Sequence, residues 1–201
     1  MANLLEAHLR HANYYLFVLR SSNDKYLQKD NLLEGLRLFD FEWENIQSAQ
    51  GWASNNYPKH TEIENLCLHY PLVGLSVLAI RQNPFERIKW LDLGLAITQR
   101  QNLITNVELI LNHLGLAYGT VGDYLKAIEY FEQGLGLASE TGSLKAKAAC
   151  LGNLGQASAS LGKLELAREY FDQALVIDRE IGDSQGESNA LSNIGMLYAQ
   201  Q

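Results

Sequence analysis

Prolines, cysteines and long apolar runs are all scarce in this sequence. Its 201 residues include 3 prolines, and because proline breaks a helix from within, this scarcity leaves room for long helices. Leucine, alanine, glutamate and glutamine recur throughout, and they favour helices over strands. No stretch approaches the roughly 20 consecutive apolar residues that span a bilayer. The sequence therefore predicts an all-α protein with no membrane partner.

Cysteine is too rare to form a disulfide framework. The 2 cysteines, Cys67 and Cys150, lie within apolar helical patterns, so we expect buried thiols in a reducing compartment. The first twenty residues lack the basic start, the continuous apolar stretch and the cleavage site of a secretion signal. The expected location is the cytoplasm.

Positive charge is also in short supply, because the net charge is −7. Binding to a phosphate backbone depends on clustered Lys and Arg, so the sequence predicts no nucleic-acid partner. Hydrophobic residues make up 47% of the chain and charged residues 19%. This balance supports a sizeable core and excludes a disordered chain.

Motifs for phosphate or dinucleotide binding are missing. Gly162 and Lys163 are followed by Leu164 rather than by the Ser or Thr that a P-loop requires. A Gly-Leu-Gly sequence at 134–136 falls inside a helical pattern and lacks the third glycine of a dinucleotide fingerprint. We therefore expect no cofactor.

Histidines and cysteines are too sparse to predict a metal site or a nucleophile. His8 and His11 lie one helical turn apart, but no further ligand at a metal-binding spacing supports a site, and packed or exposed histidines are the commoner outcome. Cys150 and His113 have no third group to orient them. The sequence predicts no metal and no catalytic residues.

A forty-residue repeat dominates the C-terminal half. Residues 111–150 align without gaps onto residues 151–190. Thirteen positions are identical, and in the first copy they are Leu111, Leu114, Gly115, Ala117, Gly122, Ala127, Glu129, Tyr130, Phe131, Gln133, Leu135, Glu140 and Gly142. Apolar residues recur at intervals of three and four within each copy, which indicates helices. Each copy is predicted to be a hairpin of two helices.

Glycines mark the ends of these predicted helices. They come directly after each helix, at Gly122, Gly142, Gly162 and Gly182. A residue with positive φ ends a helix readily, and glycine adopts it without steric cost. Ser143 and Asp183 follow the second helices and are the predicted N-caps of the next ones.

The repeat register divides the chain into two predicted regions. Residues 1–60 do not follow the register and are predicted to form a divergent helical hairpin. Residues 61–201 are predicted to form repeats, comprising a degenerate unit at 61–103, well-formed units at 104–143 and 144–183, and a half unit at 184–201.

Weaker signals define the region before the clear repeats. Two amphipathic segments at 2–20 and 30–55 flank a predicted polar break at 21–24. We expect most of the aromatic residues here to pack inside the hairpin, and these are Tyr14, Tyr15, Phe17, Phe39, Phe41, Trp43 and Trp52. A flat binding surface is the less favoured alternative.

The degenerate unit has a predicted start and a predicted kink. Thr61 with Glu64 has the spacing of a capping box. Pro71 lies inside the following helix and predicts a kink there. Together with the other segments, this gives about nine helices.

The apolar and small residues of the first copy resemble the tetratricopeptide signature in type and spacing. They are Leu111, Leu114, Gly115, Tyr118, Ala127, Phe131 and Gly134. The second copy departs from the signature by having Ser158 in place of the aromatic, and the period exceeds the common length of roughly 34 residues. The resemblance implies a superhelix of αα-hairpins that binds proteins or peptides.

A narrower resemblance covers nearly the whole chain. The segments at 11–16 and 41–53, taken with the repeats, are similar to the region that follows the nucleotide-binding and winged-helix modules of STAND-class signalling ATPases of the NB-ARC type. This resemblance implies the sensor portion of a larger regulator, separated from its ATPase. The nucleotide site of that family is not carried over, because none of its motifs is present.

The tetratricopeptide resemblance also implies a binding surface. In that fold the first helices line the concave face, where this chain presents amides and small apolar groups in place of the Lys and Arg of chaperone-binding members. The predicted peptide-binding residues are Asn112, His113, Leu116, Asn153, Gln156, Asn193 and Met196. Their amides could pair with the main chain of an extended peptide. The alternative is that these amides bond within the helices or to water.

The predicted function is to hold a protein or peptide as the sensor or scaffold of a signalling regulator. The alternatives are a stand-alone adaptor, a structural spacer and, less favoured, an enzyme with an unrecognised site. The last helix should expose Leu191, Ile194 and Leu197 on one face. An exposed apolar face predicts either a truncated chain or self-association through helix 185–200.

Overall fold

The computed structural model describes residues 2–199, with side chains from Leu4 onward. It is all-α, with no strand among these residues. Ten helices follow one another as α1 (Ala2–Leu27), α2 (Leu32–Asn56), α3 (Thr61–Val73), α4 (Leu75–Arg81), α5 (Pro84–Gln101), α6 (Ile104–Thr120), α7 (Tyr124–Thr141), α8 (Leu144–Ser160), α9 (Leu164–Ile181) and α10 (Ser184–Ala199). A turn of 3-10 helix at Lys29–Asn31 links α1 to α2. The predicted all-α class is confirmed.

The chain divides into two compact units. The N-terminal unit ends at Asn102 and holds α1 to α5, and the C-terminal unit begins at Leu103 and holds α6 to α10. The division at residue 60 rests on the repeat register and stays a prediction.

Helix α1 continues through the predicted polar break. Ser22 is buried, and its hydroxyl donates to the Gly35 carbonyl oxygen at 2.7 Å. The Asn23 side-chain oxygen accepts from the N–H groups of Ser76 and Val77 at 3.0 and 3.2 Å and so caps α4. The prediction of a break was wrong because these polar residues find buried partners on α2 and α4 rather than solvent.

The predicted kink lies at Gly74 rather than at Pro71. Helix α3 runs through Pro71, and the chain then bends by 71° between α3 and α4. A Cβ atom at Gly74 would lie 2.6 Å from Cδ1 of Leu19. The Leu19 side chain therefore fills the space that a larger side chain at position 74 would need. This break gives ten helices where about nine are predicted.

The predicted capping box at the start of α3 does not form. His60 occupies the N-cap position and makes no side-chain capping bond. Glu64 faces α5 instead, where its carboxylate lies 2.6 Å from Arg100 and 3.2 Å from the amide of Gln101. A charge partner on the neighbouring helix has replaced the local cap.

Aromatic side chains pack together in the N-terminal unit, but some of those predicted to do so are exposed. Phe39 stacks on Trp43 with ring centroids 5.0 Å apart, and Trp43 lies 5.9 Å from Trp90. Tyr70 is buried, and its hydroxyl donates to the Ala12 carbonyl oxygen at 2.7 Å. Three of the aromatics expected in the core are exposed, namely Tyr14, Phe17 and Phe41.

The C-terminal unit stacks helices α6 to α10 in chain order. Helices α6, α8 and α10 begin forty residues apart at Ile104, Leu144 and Ser184. The four glycines after the helices have φ values of 81°, 72°, 75° and 70°, which confirms their predicted role. Asp183 caps α10 through the N–H groups that follow it, at 2.9 and 3.1 Å. Ser143 makes no such bond, so that cap prediction was wrong.

A glycine on each first helix admits an aromatic ring from the second helix. A Cβ atom at Gly115 would lie 2.4 Å from Cε1 of Phe131, and one at Gly155 would lie 2.6 Å from Cε1 of Phe171. At the equivalent Gly195 of α10, a Cβ atom would meet nothing described within 4 Å. The phenylalanine rings thus pack α7 closely against α6 and α9 closely against α8.

Candidate functional site

Three grooves run along the side of the C-terminal unit that α6, α8 and α10 form. We call this surface the first-helix face. The groove between α8 and α10 has a volume of about 470 Å³. Two smaller grooves lie between α6 and α8, one of about 320 Å³ near the helix starts and one of about 300 Å³ near the helix ends. Together they could hold an extended chain.

The predicted binding residues are divided among these grooves. Asn153 and Gln156 line both the α8–α10 groove and the smaller groove near the helix ends. Asn193 lines the α8–α10 groove, Leu116 the groove near the helix ends and Asn112 the groove near the helix starts.

Two predicted residues lie outside the three grooves. His113 is half-buried and already has a contact within the chain. Met196 is exposed on α10. The structure therefore brings five of the seven predicted residues together and leaves these two aside.

The amides on this face do not all have the same hydrogen-bond state. Asn153 donates from Nδ2 to Oδ1 of Asn112 at 2.7 Å, across the gap from α8 to α6. The corresponding partner is missing one repeat later, because Gly152 stands where Asn112 stands in the earlier unit. Among the described residues, the side chain of Asn193 makes no hydrogen bond. The hydrogen bond between α8 and α6 therefore occupies the amides of Asn112 and Asn153, whereas Asn193 of α10 has no such bond.

Lys145 is a groove residue that the sequence analysis missed. It lies exposed in the first turn of α8 and lines both the α8–α10 groove and the groove near the helix starts. Together with Ala149, Asn153 and Gln156 it follows the spacing of one helix face. Extending the predicted binding residues of α8, Asn153 and Gln156, by two helical turns toward the start of the helix would have found Lys145.

Asp178 is a buried carboxylate that lines the α8–α10 groove. Its side chain is buried against Gly186, where a Cβ atom would lie 2.5 Å from the carboxylate. Burial raises the pKa of Asp178, and the nearby charges of Asp183 and Glu187 raise it further. The groove is therefore lined by one cation, several amides and two carboxylates, Asp183 and Asp178, and burial makes the charged form of Asp178 unfavourable.

Neither cysteine has the character of a nucleophile. Burial raises the pKa of both Cys67 and Cys150 to about 11, which keeps the thiols protonated near neutral pH. His8 stacks on Trp52 with ring centroids 5.0 Å apart. Within residues 2–199, no three His, Cys, Asp or Glu side chains are grouped so as to hold a metal ion.

No single helix in the described part of the chain is long and apolar enough to cross a membrane. Only α3 and α4 pass such a test of length and composition, and only when the bent pair is counted together.

The apolar face of the last helix differs from the prediction. Leu197 is buried and Ile194 packs beside it against Ala167 and Phe171 of α9. Leu191 is exposed as predicted. The prediction for Leu197 was wrong because the preceding hairpin covers this side of α10. Self-association through 185–200 stays a prediction, and residue 200 lies outside the described residues.

The fold and the first-helix face define a helical-hairpin repeat protein. The model of the tetratricopeptide repeat family matches residues 106–175 and 147–201. These residues belong to the tetratricopeptide repeat family, whose repeats serve in general as non-catalytic protein-interaction scaffolds. The predicted family is confirmed for this part of the chain. No curated protein matches the sequence.

Solved structures with a similar fold cover nearly the whole chain. A STAND protein with a tetratricopeptide repeat sensor from Pyrococcus horikoshii is similar at a TM-score of 0.67 and 19% identity, over 96% of this chain and 28% of that chain. BtubC from P. vanneervenii is similar at 0.64 and 15%, over 96% and 84%. A putative kinesin light chain from Podosopora anserina is similar at 0.57 and 15%, over 92% and 95%.

These identities show a shared fold and nothing finer. The chain spans only 28% of the length of the STAND protein that it matches. The resemblance to a STAND sensor region is therefore confirmed as a likeness of fold.

Proposed function

We propose that the first-helix face binds an extended peptide segment of a partner protein. The observation that carries this proposal is the unequal state of the amides. Asn112 and Asn153 satisfy each other, whereas Asn193 lines the largest groove of the face with no hydrogen bond inside the described chain. A peptide main chain offers both the donor and the acceptor that an amide side chain requires.

The charges of the α8–α10 groove restrict the peptide further. Lys145 is exposed on one wall, and it can pair with an acidic side chain of the ligand. Asp178 also lines this groove and carries its charge at a cost, so a donor from the ligand would relieve it. The proposed ligand is an extended segment with one acidic residue and main-chain groups that bond Asn193.

Calorimetry with a peptide selected on this chain from a random peptide library tests the proposal. Asn193→Ala should weaken binding by about 1 kcal/mol, or roughly fivefold, because it removes one net hydrogen bond. Gln173→Ala on the exposed side of α9 is the matched control and should leave the affinity unchanged. Unchanged affinity in the double variant Asn153→Ala with Asn193→Ala would contradict the proposal.

We further propose that the chain is the sensor region of a larger, cytoplasmic STAND-class regulator. The support is the likeness of fold to the sensor-bearing STAND protein over 96% of this chain. Sequencing the coding region upstream of Met1 tests this, because a P-loop and a winged-helix region should precede it. A reading frame that starts at Met1 would favour the stand-alone adaptor.

A further inference from the structure

The α8–α10 groove is lined by a buried carboxylate that has no partner inside the protein. Asp178 is 6% exposed, and its side chain makes no hydrogen bond and no ion pair with any described residue. Two neighbouring acids are engaged, because Asp183 caps α10 and Glu187 pairs with Arg179 at 2.7 Å. An unpaired charge is costly to bury. Asp178 is therefore the acid of this groove that is left for a ligand.

This carboxylate is a departure from the repeat. Forty residues earlier, Ala138 and Ala146 stand at the positions of Asp178 and Gly186. Ala138 is buried, so the preceding unit has a methyl group where this unit has a charge. A Cβ atom at Gly186 would lie 2.5 Å from Cγ and Oδ1 of Asp178. The glycine thus makes room for the acid, and together they replace two alanines.

Both replacements destabilise the fold. Burial raises the pKa of Asp178, so the folded protein disfavours its charged form. Glycine within a helix is also less favourable than alanine. Residues that lower stability in this way are concentrated at binding and catalytic sites, where function requires them. The pair therefore indicates a role in binding rather than in packing.

The groove beside Asp178 has room for a thin aliphatic chain. The small apolar residues that line it are Ala148, Ala149, Ala174 and Ala190. A lysine side chain has an unbranched stem that can lie along these methyl groups, and it ends in a compact ammonium. Arginine needs both carboxylate oxygens in one plane for its two hydrogen bonds, and Gly186 already packs against that carboxylate. The groove therefore favours lysine over arginine.

Two features indicate that the chain itself does not fill this place. Helices α9 and α10 follow the two grooves between α6 and α8 in the chain, yet those grooves stay open at about 320 and 300 Å³. A further hairpin therefore does not close a groove of the first-helix face. Lys145 lines the same groove as Asp178, but the two side chains form no ion pair in the described structure.

We propose that Asp178 makes the α8–α10 groove selective for a peptide with a lysine, whose ammonium binds the Asp178 carboxylate while its stem lies along the alanines of the groove. This inference rests on the proposed peptide-binding function of the first-helix face and identifies a basic residue of the ligand. Because Lys145 takes an acidic residue, the ligand carries one charge of each sign.

Selection from a random-peptide phage-display library supplies the probes. Parallel selections use the full parent chain and Asp178→Asn, since asparagine keeps the shape of the side chain and removes its charge. We expect lysine to be enriched at one position of the peptides that bind the parent, and not in those that bind Asp178→Asn. Glu169→Gln removes an exposed acid of the same helix outside the grooves, so it should select the same peptides as the parent.

Calorimetry with one selected peptide measures the contact itself. Four titrations combine the parent or Asp178→Asn with the peptide that carries lysine or norleucine, which has the same carbon stem without the ammonium. Norleucine should weaken binding to the parent about tenfold or more, because a hydrogen bond between charged groups is lost. It should change the affinity for Asp178→Asn little. Thermal melts check folding, and Asp178→Asn should melt no lower than the parent.

The failure of this inference can be told apart from failure of the proposed function. Peptides that lose affinity in Asn193→Ala but show no enrichment of lysine would overturn the inference and leave the peptide-binding function standing. Equal losses from norleucine in the parent and in Asp178→Asn would also overturn it, since the ammonium would then bind elsewhere. Equal affinity for an arginine peptide would contradict the preference for lysine. If no peptide were selected at all, the proposed function would fail, and the inference with it.

Discussion

At the scale of single residues, three glycines at one repeat position have different surroundings. Gly115 and Gly155 lie under phenylalanine rings, and Gly195 has free space beside it. A glycine in a helix interior costs stability relative to alanine, so its presence at the first two sites reflects close packing. The same substitution should therefore have opposite effects at different sites.

Gly155→Ala should lower the free energy of unfolding by about 1–3 kcal/mol, because the new methyl group overlaps the Phe171 ring. Gly195→Ala should raise it by about 0.5–1 kcal/mol, because no packing term opposes the gain in helix propensity. Urea denaturation of the three proteins measures both effects. Equal changes in the free energy of unfolding at the two sites would show that the contact with the phenylalanine ring does not affect stability.

Asp178 should make stability depend on pH. Its pKa in the folded state is raised above the ordinary value of 3.8, so the folded protein favours the protonated acid. Stability then falls as pH rises from about 4 through the folded pKa, and at neutral pH the ionised group destabilises the fold. Asp178→Asn should be more stable than the parent at pH 7.

The advantage of Asp178→Asn should shrink below pH 4, where the parent carboxyl is itself neutral. Thermal melts across this pH range measure the difference. Glu169→Gln, at an exposed position of the same helix, is the matched control and should change stability little at any pH. A constant difference between Asp178→Asn and the parent at all pH values would contradict the assigned cause.

At the scale of helices, α4 has its cap supplied from another element. Gly74 has no side chain to cap the helix, and Asn23 of α1 accepts from the first-turn N–H groups instead. Asn23→Ala should cost about 1–2 kcal/mol of unfolding free energy, as for other lost N-caps. Denaturant titration measures it. Asn31→Ala is the control, because Asn31 precedes α2 without a side-chain cap bond, and a similar loss there would argue against capping.

Helices that repeat could be predicted from sequence, and helices held by distant partners could not. The glycine stops and the start of α6, α8 and α10 follow from a forty-residue register that is visible in the sequence. Ser22 and Asn23 read as a break because polar clusters usually face water. Their partners, Gly35 and the start of α4, are set by packing and leave no local signal.

The candidate site shows the same limit. The repeat register identifies the first-helix face and most of its amides. The hydrogen bond between Asn112 and Asn153 spans forty-one positions rather than forty, so aligning the repeats does not pair them. The positions equivalent to Lys145 in the neighbouring repeats are Thr105 and Gln185, and neither is charged. Lys145 therefore gave no repeated signal in the sequence.

At the scale of the whole chain, each compact unit has its own core. The C-terminal unit is a stack in which each helix contacts its neighbours in the sequence, and such stacks are stabilised by nearest-neighbour contacts. A fragment of residues 103–201 should fold alone and melt cooperatively. Circular dichroism at 222 nm with temperature measures this, and a fragment without a melting transition would refute it.

The cap that Asn23 provides has a consequence for the order of folding. Its two hydrogen bonds join positions 53 and 54 residues apart, and Tyr70 meets Ala12 across 58. Contacts so distant in sequence form late, because the intervening chain must first be closed into a loop. During synthesis on the ribosome, Asn23 of α1 must therefore wait for α4 before it has its partners, whereas each hairpin of the C-terminal unit can close as soon as it is made.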